Sequence, residues 1–223
     1  MYYPLFLDLR RVCCLIVGAG GVGQRKAGAV LEAGPQELLV LDPALPLDAW
    51  APWRGHPALR LERRAFAATD LDGRQLVFAC TPDRAENSRI AALCAPRGIW
   101  CNVAGAPQEG NCHVPACARS GGMTAALSTG GASPAWARVV REELEGWLAP
   151  RAVMGTLLGR LRPHVLALGQ DTVQNTELFR TLARSPLPAL LGAGDRAGCE
   201  ALLRRLLPES LHATIAEMLY ELV

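Results

Sequence analysis

Lysine is all but absent from this chain: of 23 basic residues only Lys26 is a lysine, and the rest are arginines. No charge of either sign dominates, because 21 acids leave a net charge of +2. That balance argues against the strongly basic face on which nucleic-acid and anionic-membrane binding depend. No apolar run approaches the ~18 residues that a bilayer-spanning helix needs. Nothing reads as a secretion signal, since Tyr2 to Leu9 is apolar but broken by Pro4 and Asp8 and lacks a cleavage pattern. There is no internal repeat and no low-complexity segment. The cysteines, at positions 13, 14, 80, 94, 101, 112, 117 and 199, lack the spacing of a metal knuckle. Cys112, His113 and Cys117 form no CxxC pair, and Val114-Pro115 favours extended backbone, which turns adjacent side chains to opposite faces. No metal site is expected. Cys13, Cys14, Cys80 and Cys101 fall in apolar, strand-like segments, where a thiol behaves as a small hydrophobe. Without a secretion signal they point to a reducing, cytoplasmic setting.

What the chain does have is a glycine turn in a telling context. The apolar run Cys13-Cys14-Leu15-Ile16-Val17 leads into Gly18-Ala19-Gly20-Gly21-Val22-Gly23, and a helix-like stretch runs from Gln24 to Ala33. A second apolar run, Leu38 to Leu41, ends at Asp42. This is the strand, glycine turn, helix, strand and acid order of a dinucleotide-binding βαβ unit. Gly18 permits the tight turn, Gly20 lets backbone approach a pyrophosphate, and Gly23 lets helix and strand pack closely. The helix start offers N–H donors and a positive dipole end. Asp42 accepts hydrogen bonds from an adenosine ribose and repels a 2′-phosphate, so NAD is the expected cofactor rather than NADP. Lys26, just past the turn, is either incidental or a contact to phosphate or carboxylate.

The rest of the first half alternates strand and helix. Strands are expected at 13–17, 38–41, 59–64, 76–80 and 99–104, and helices at 21–33 and 83–96. Apolar strands separated by helices predict a parallel sheet covered on both faces. Residues 43–57, rich in proline and tryptophan, read as an irregular crossover. Further on, 112–116 looks extended, 123–128 reads as a strand, and 129–134 forms a second glycine turn. Ser133 as N-cap and Pro134 at the first helical position predict a helix over about 134–148. In it Arg138 neighbours Arg141 and Glu142. Residues 152–223 read as several amphipathic helices punctuated by prolines.

Four segments together resemble the precorrin-2 dehydrogenase family, which includes the N-terminal module of siroheme synthase. They are Tyr3-Pro4-Leu5-Phe6-Leu7-Asp8-Leu9, the turn Leu15 to Ala27 with its Arg25-Lys26 pair, Cys101-Asn102-Val103-Ala104-Gly105-Ala106-Pro107, and Leu127 to Arg138. The resemblance implies an α/β fold: a Rossmann-like NAD-binding domain over 1–112, a small α/β dimerisation region over 113–150 and a C-terminal helical domain over 151–223. It implies NAD-dependent oxidation of precorrin-2 to sirohydrochlorin by a homodimer, with the substrate between domains. By position, Gly21 and Val22 touch the pyrophosphate. Asp42 and Pro43 flank the ribose, Cys80, Thr81 and Pro82 lie along the nicotinamide, and Asn102 and Val103 border the reacting centre.

In related enzymes an aspartate with a role in proton removal and metal insertion stands where this chain has Gly105. Glycine cannot titrate, so the resemblance implies a dehydrogenase without ferrochelatase activity, served by a separate chelatase. Glu109 and His113 are the weak candidates to replace the acid; otherwise they are a solvated loop acid and a strand-edge packing residue. A polycarboxylate substrate calls for arginine forks and hydroxyl or backbone donors. Arg119, Arg138, Ser128, Thr129, Gly130 and the Gly105 loop are the candidates, with Arg141 nearby. The alternatives are a bifunctional enzyme that also inserts metal and an NAD-sensing module without chemistry.

Overall fold

The computed structural model describes residues 2–169 and 171–223. The chain divides into two compact units, one running to Val114 and the other starting at Pro115.

In the first unit five strands form a parallel sheet: β1 (Cys13–Val17), β2 (Glu37–Leu41), β3 (Leu59–Glu62), β4 (Leu76–Ala79) and β5 (Trp100–Val103). Side chains alternate between faces, and both faces are apolar. Leu15, Val17, Leu39, Leu41 and Val77 share one core with Ile90, Ala91 and Cys94 of α2 (Arg84–Cys94). Cys14, Ile16, Leu38, Val40 and Phe78 share another with Ala27, Val30 and Leu31 of α1 (Gly21–Glu32). Burial on both sides is why these strands read as unbroken apolar runs rather than alternating ones. The expected Rossmann-like sheet is therefore the one found, with strand ends displaced by a few residues at most.

The strand order is β3-β2-β1-β4-β5. The chain winds outward from β1 through β2 to β3, then returns to β4 on the other side of β1. The loops leaving β1 and β4 thus frame the point where the winding reverses, the place where open α/β sheets bind ligands. The crossover 43–57 is less irregular than expected. It contains a 3-10 run, Leu47–Trp53, whose Trp50 is fully buried against the α1 side of the sheet. Proline hides any helical pattern there, while one large aromatic side chain supplies the burial that fixes the segment.

In the second unit β6 (Ala116–Ser120) and β7 (Met123–Leu127) form an antiparallel hairpin around Gly121-Gly122. The segment expected to be extended from 112 becomes a strand only at Ala116. α3 (Pro134–Ala167) begins at its expected cap but does not stop near 148; it runs for 34 residues through Pro150 and Pro163. An interior proline removes one helical hydrogen bond and crowds the carbonyl four residues earlier. Here those carbonyls belong to Gly146 and Gly159, whose backbone tilts most freely. Buried Leu148, Ala152, Met154, Leu157, Leu161 and Val165 carry one apolar face past both prolines. α4 (Thr172–Arg184), α5 (Leu187–Gly192), α6 (Arg196–Leu206) and α7 (Ile215–Met218) complete a core around Leu157, Leu161, Leu182, Leu187, Cys199 and Leu203.

Candidate functional site

The glycine turn after β1 is built from three different constraints. Gly18 has φ +103°, and a Cβ there would stand 2.5 Å from the Cys80 carbonyl oxygen, so the turn lies in backbone contact with the end of β4. A Cβ on Gly23 would stand 2.0 Å from the Gly18 carbonyl oxygen, so α1 packs directly on the turn. At Gly20 and Gly21 a Cβ would meet nothing within 4 Å. Gly20 is the N-cap of α1 in extended conformation and caps with no side chain. The helix therefore offers its first N–H groups and its positive dipole end to open space, which suits a phosphate.

Asp42 ties this turn together before any ligand is considered. Its Oδ2 accepts from the Ala19 N–H at 2.7 Å and its Oδ1 from the Ala44 N–H at 2.8 Å. A carboxylate oxygen can accept more than one hydrogen bond, and Asp42 is only half-buried, so capacity remains for a ribose hydroxyl. Pro43, beside it, is exposed. The Ala19 carbonyl in turn accepts from Gln24 Nε2 at 3.0 Å and from the Trp50 indole N–H at 3.1 Å. Sequence reasoning missed both Gln24 and Trp50. The available signal was tryptophan in the crossover, because a buried indole N–H needs an acceptor.

At the end of β4, Cys80 is buried and its thiol is pushed up to about 11 by desolvation, which keeps it protonated and unreactive at neutral pH. Thr81 is clamped by Asn87 of α2. The Asn87 side-chain oxygen accepts from the Thr81 N–H at 3.0 Å and hydroxyl at 2.8 Å, and its amide donates to the Thr81 carbonyl at 2.9 Å. Buried Asn87 was also missed, since it follows no local pattern. Pro82 leads into Asp83, which caps α2 by accepting from the Ala85 N–H at 2.9 Å.

The loop after β5 folds back on its own strand. Buried Asn102 donates to the Cys112 carbonyl at 2.8 Å. The Asn111 side chain accepts from the Cys101 N–H at 2.7 Å and donates to the Ile99 carbonyl at 3.1 Å. Val103, the last residue of β5, is buried in the α2-side core. Gly105, at the loop's start, is exposed with φ +77°, and a Cβ there would meet nothing within 4 Å. Glu109 is hydrogen-bonded to the Ser88 hydroxyl and lies 3.9 Å from Arg84, both on α2. The His113 ring packs on Tyr2 with centroids 4.0 Å apart. Both candidate replacements for an acid at Gly105 are thus engaged with other side chains.

The second glycine turn lies in the other unit. Gly130 and Gly131 have φ +65° and +88°. Ser128 Oγ accepts from the Gly130 N–H at 3.2 Å, Thr129 Oγ1 from the Ser133 N–H at 3.2 Å, and Ser133 caps α3 through the Trp136 N–H at 3.2 Å. Arg138 pairs with Glu142 at 3.1 Å, and Arg141 with Glu142 and Glu145. Arg119 is exposed on β6, opposite Thr124. Among the described residues no group of three or more histidine, cysteine or acidic side chains is arranged to hold a metal ion, and no helix is long and apolar enough to cross a membrane.

Comparison with known proteins follows the division of the chain. Residues 5–116 match the family model described as putative NAD(P)-binding, and residues 121–146 match that of the sirohaem biosynthesis protein central region. A siroheme synthase from Methylococcus capsulatus is 38% identical over 156 residues, which is 70% of this chain and 32% of that protein. One from Enterobacter sp. (strain 638) is 32% identical over 216 residues, 95% of this chain and 46% of that protein. The chain therefore spans about a third to just under a half of the length of these relatives. A solved structure titled SirC, precorrin-2 dehydrogenase, superimposes with a TM-score of 0.73 at 23% identity, covering 84% of this chain and 92% of that one; that likeness establishes a shared fold.

Proposed function

Because the chain belongs to the putative NAD(P)-binding family, whose model spans half of it, we propose that it oxidises precorrin-2 to sirohydrochlorin with NAD and does not insert metal. The observation that carries this reading is the Gly18–Cys80 contact at the point where the sheet's winding reverses. It sets an open glycine turn, an N-terminal helix dipole and Asp42 together at one end of the sheet. The names of the relatives supply the substrate: siroheme synthases, and a precorrin-2 dehydrogenase of the same fold.

Bound NAD supplies the hydride acceptor. The chain's own residues bind and orient. The N–H groups of Gly21 and Val22 hold the pyrophosphate, and Asp42 holds the ribose. The Asn87-clamped backbone at Cys80 and Thr81 gives the nicotinamide side a rigid wall. Oxidation removes two hydrogens from the substrate, one as hydride and one as a proton. With no side chain at Gly105, the proton goes to water or to a substrate carboxylate. That route forgoes general-base assistance, typically worth ~10²–10⁴-fold, and so gives slow but measurable turnover. Metal insertion is more demanding, because pyrrole nitrogens must lose protons while the metal sheds water.

In an absorbance assay with precorrin-2, kcat/KM with NAD is expected to exceed that with NADP at least tenfold, about 1.4 kcal/mol, with one NADH per sirohydrochlorin. Equal turnover with NADP would remove the role given to Asp42, and no oxidation with either would refute the reading.

We also propose a two-fold dimer whose interface includes residues 115–150. Trp136, Val139 and Trp147 are exposed on α3 at helical spacing, an apolar face that an isolated chain leaves in water. Sedimentation at micromolar concentration should give twice the chain mass, and a monomer would contradict the dimer.

A further inference from the structure

Lys26 leaves the second turn of α1 on the side that faces the sheet. Its ammonium lies 5.6 Å from the centroid of the Phe78 ring, on the strand that ends at Cys80. Cys80 at the end of that strand is one of the groups that act on the ammonium, and the Cys80 carbonyl packs on the Gly18 turn. The side chain is largely buried, and desolvation lowers its pKa; Cys80, Cys112 and Arg25 are the titratable groups that act on it. Among the described residues it meets no carboxylate and donates no hydrogen bond. Other cations of this unit are placed differently. Arg64 and Arg74 pair with Asp70 and Glu37, while Arg11, Arg25 and Arg63 are exposed and can leave their charge to water. A largely buried ammonium with neither a carboxylate nor a hydrogen-bond acceptor is costly to a fold. Here it lies near Cys80, against the turn proposed above to hold an anionic dinucleotide.

We propose that Lys26 is an anion-binding residue of this site, taking an anionic oxygen of the bound ligand: a phosphoryl oxygen of the dinucleotide or a carboxylate of the acidic substrate. The proposal rests on the nucleotide-site reading and adds to it a side chain where the glycine turn offers backbone alone. The cation–π contact with Phe78 holds the ammonium in the absence of ligand.

The chain's single lysine makes the test direct. Reductive methylation with ¹³C-formaldehyde leaves one labelled side chain, Lys26, beside the terminal amine. Its resonance and titration midpoint are followed by NMR with NAD, with nicotinamide riboside, which carries no phosphate, and with a carboxylated tetrapyrrole. A shift with NAD but not the riboside supports the phosphoryl source. A shift with the tetrapyrrole alone supports the carboxylate source. No shift with any of them, while calorimetry shows NAD bound, overturns the Lys26 role and leaves the nucleotide reading intact. Failure of NAD to bind at all overturns both.

Lys26→Met supplies an independent readout. Affinity for the ligand that moves the resonance should fall about tenfold to a hundredfold, as for a hydrogen bond to a charged group. The ligand-free unfolding midpoint should hold or rise, because methionine carries no charge to desolvate. A lower midpoint with unchanged affinity would show a structural lysine and overturn the proposal.

Discussion

Gly23→Ala is expected to destabilise the first unit by about 3 kcal/mol, the upper end of the usual cost of overpacking, and to abolish measurable NAD binding. The added methyl would stand 2.0 Å from the Gly18 carbonyl oxygen and 3.1 Å from its carbon. Both are backbone atoms, so no rotamer change relieves the clash, and α1 must move off β1. Gly18 cannot yield, because it already sits against the Cys80 carbonyl at φ +103°. Moving α1 carries away the N–H groups that face the pyrophosphate. Gly20→Ala is the control. Its φ of −68° is ordinary for any residue, and its methyl would meet nothing, so stability should change by less than about 0.5 kcal/mol. NAD affinity should still fall, because the methyl occupies the space a phosphate would take. Urea unfolding and NAD titration of the two variants check this. Equal stability of Gly23→Ala and the parent would contradict the packing account.

These glycines show what was legible in the sequence. Gly18, Gly20 and Gly23 could be assigned separate roles from spacing because each role is a local backbone requirement. Asp42 was legible as the acid closing the second strand, but not as the group that first ties Ala19 and Ala44. Such a bond spans 23 residues in one case, and local pattern carries no trace of it. Asn87 and Asn111 were hidden for the same reason: each bonds to backbone that the fold brings near. The strands were readable because burial on both faces makes an apolar run. The hairpin at 116–127 was only half readable, since alanine, cysteine and arginine in β6 give weak alternation. The expected end of α3 at about 148, just before Pro150, reflects the rule that proline usually ends a helix, and Gly146 and Gly159 give no local sign that the helix continues to Ala167.

The second large effect concerns Gly105. Related enzymes are expected to carry a carboxylate there, and Gly105→Asp should raise precorrin-2 turnover by roughly tenfold or more, within the reach of general-base assistance. The position can accept it. Nothing lies within 4 Å of a Cβ, and φ +77° is a left-handed conformation that aspartate tolerates better than most residues. The expected stability cost is about 1 kcal/mol. An unchanged rate in a folded, NAD-binding variant would show that proton removal does not limit the reaction. Glu109 is a poor substitute because Ser88 and Arg84 already engage it. Glu109→Gln should therefore leave turnover near the parent value.

Oxidation without chelation is tested most directly by giving the unaltered protein saturating sirohydrochlorin with ferrous or cobaltous ion, after the same preparation has converted precorrin-2 with NAD. One NADH per precorrin-2 oxidised is expected, with metal insertion no faster than in buffer alone. Protein-dependent insertion in that sample would contradict it, and would show that a group other than a side chain at position 105 handles the metal.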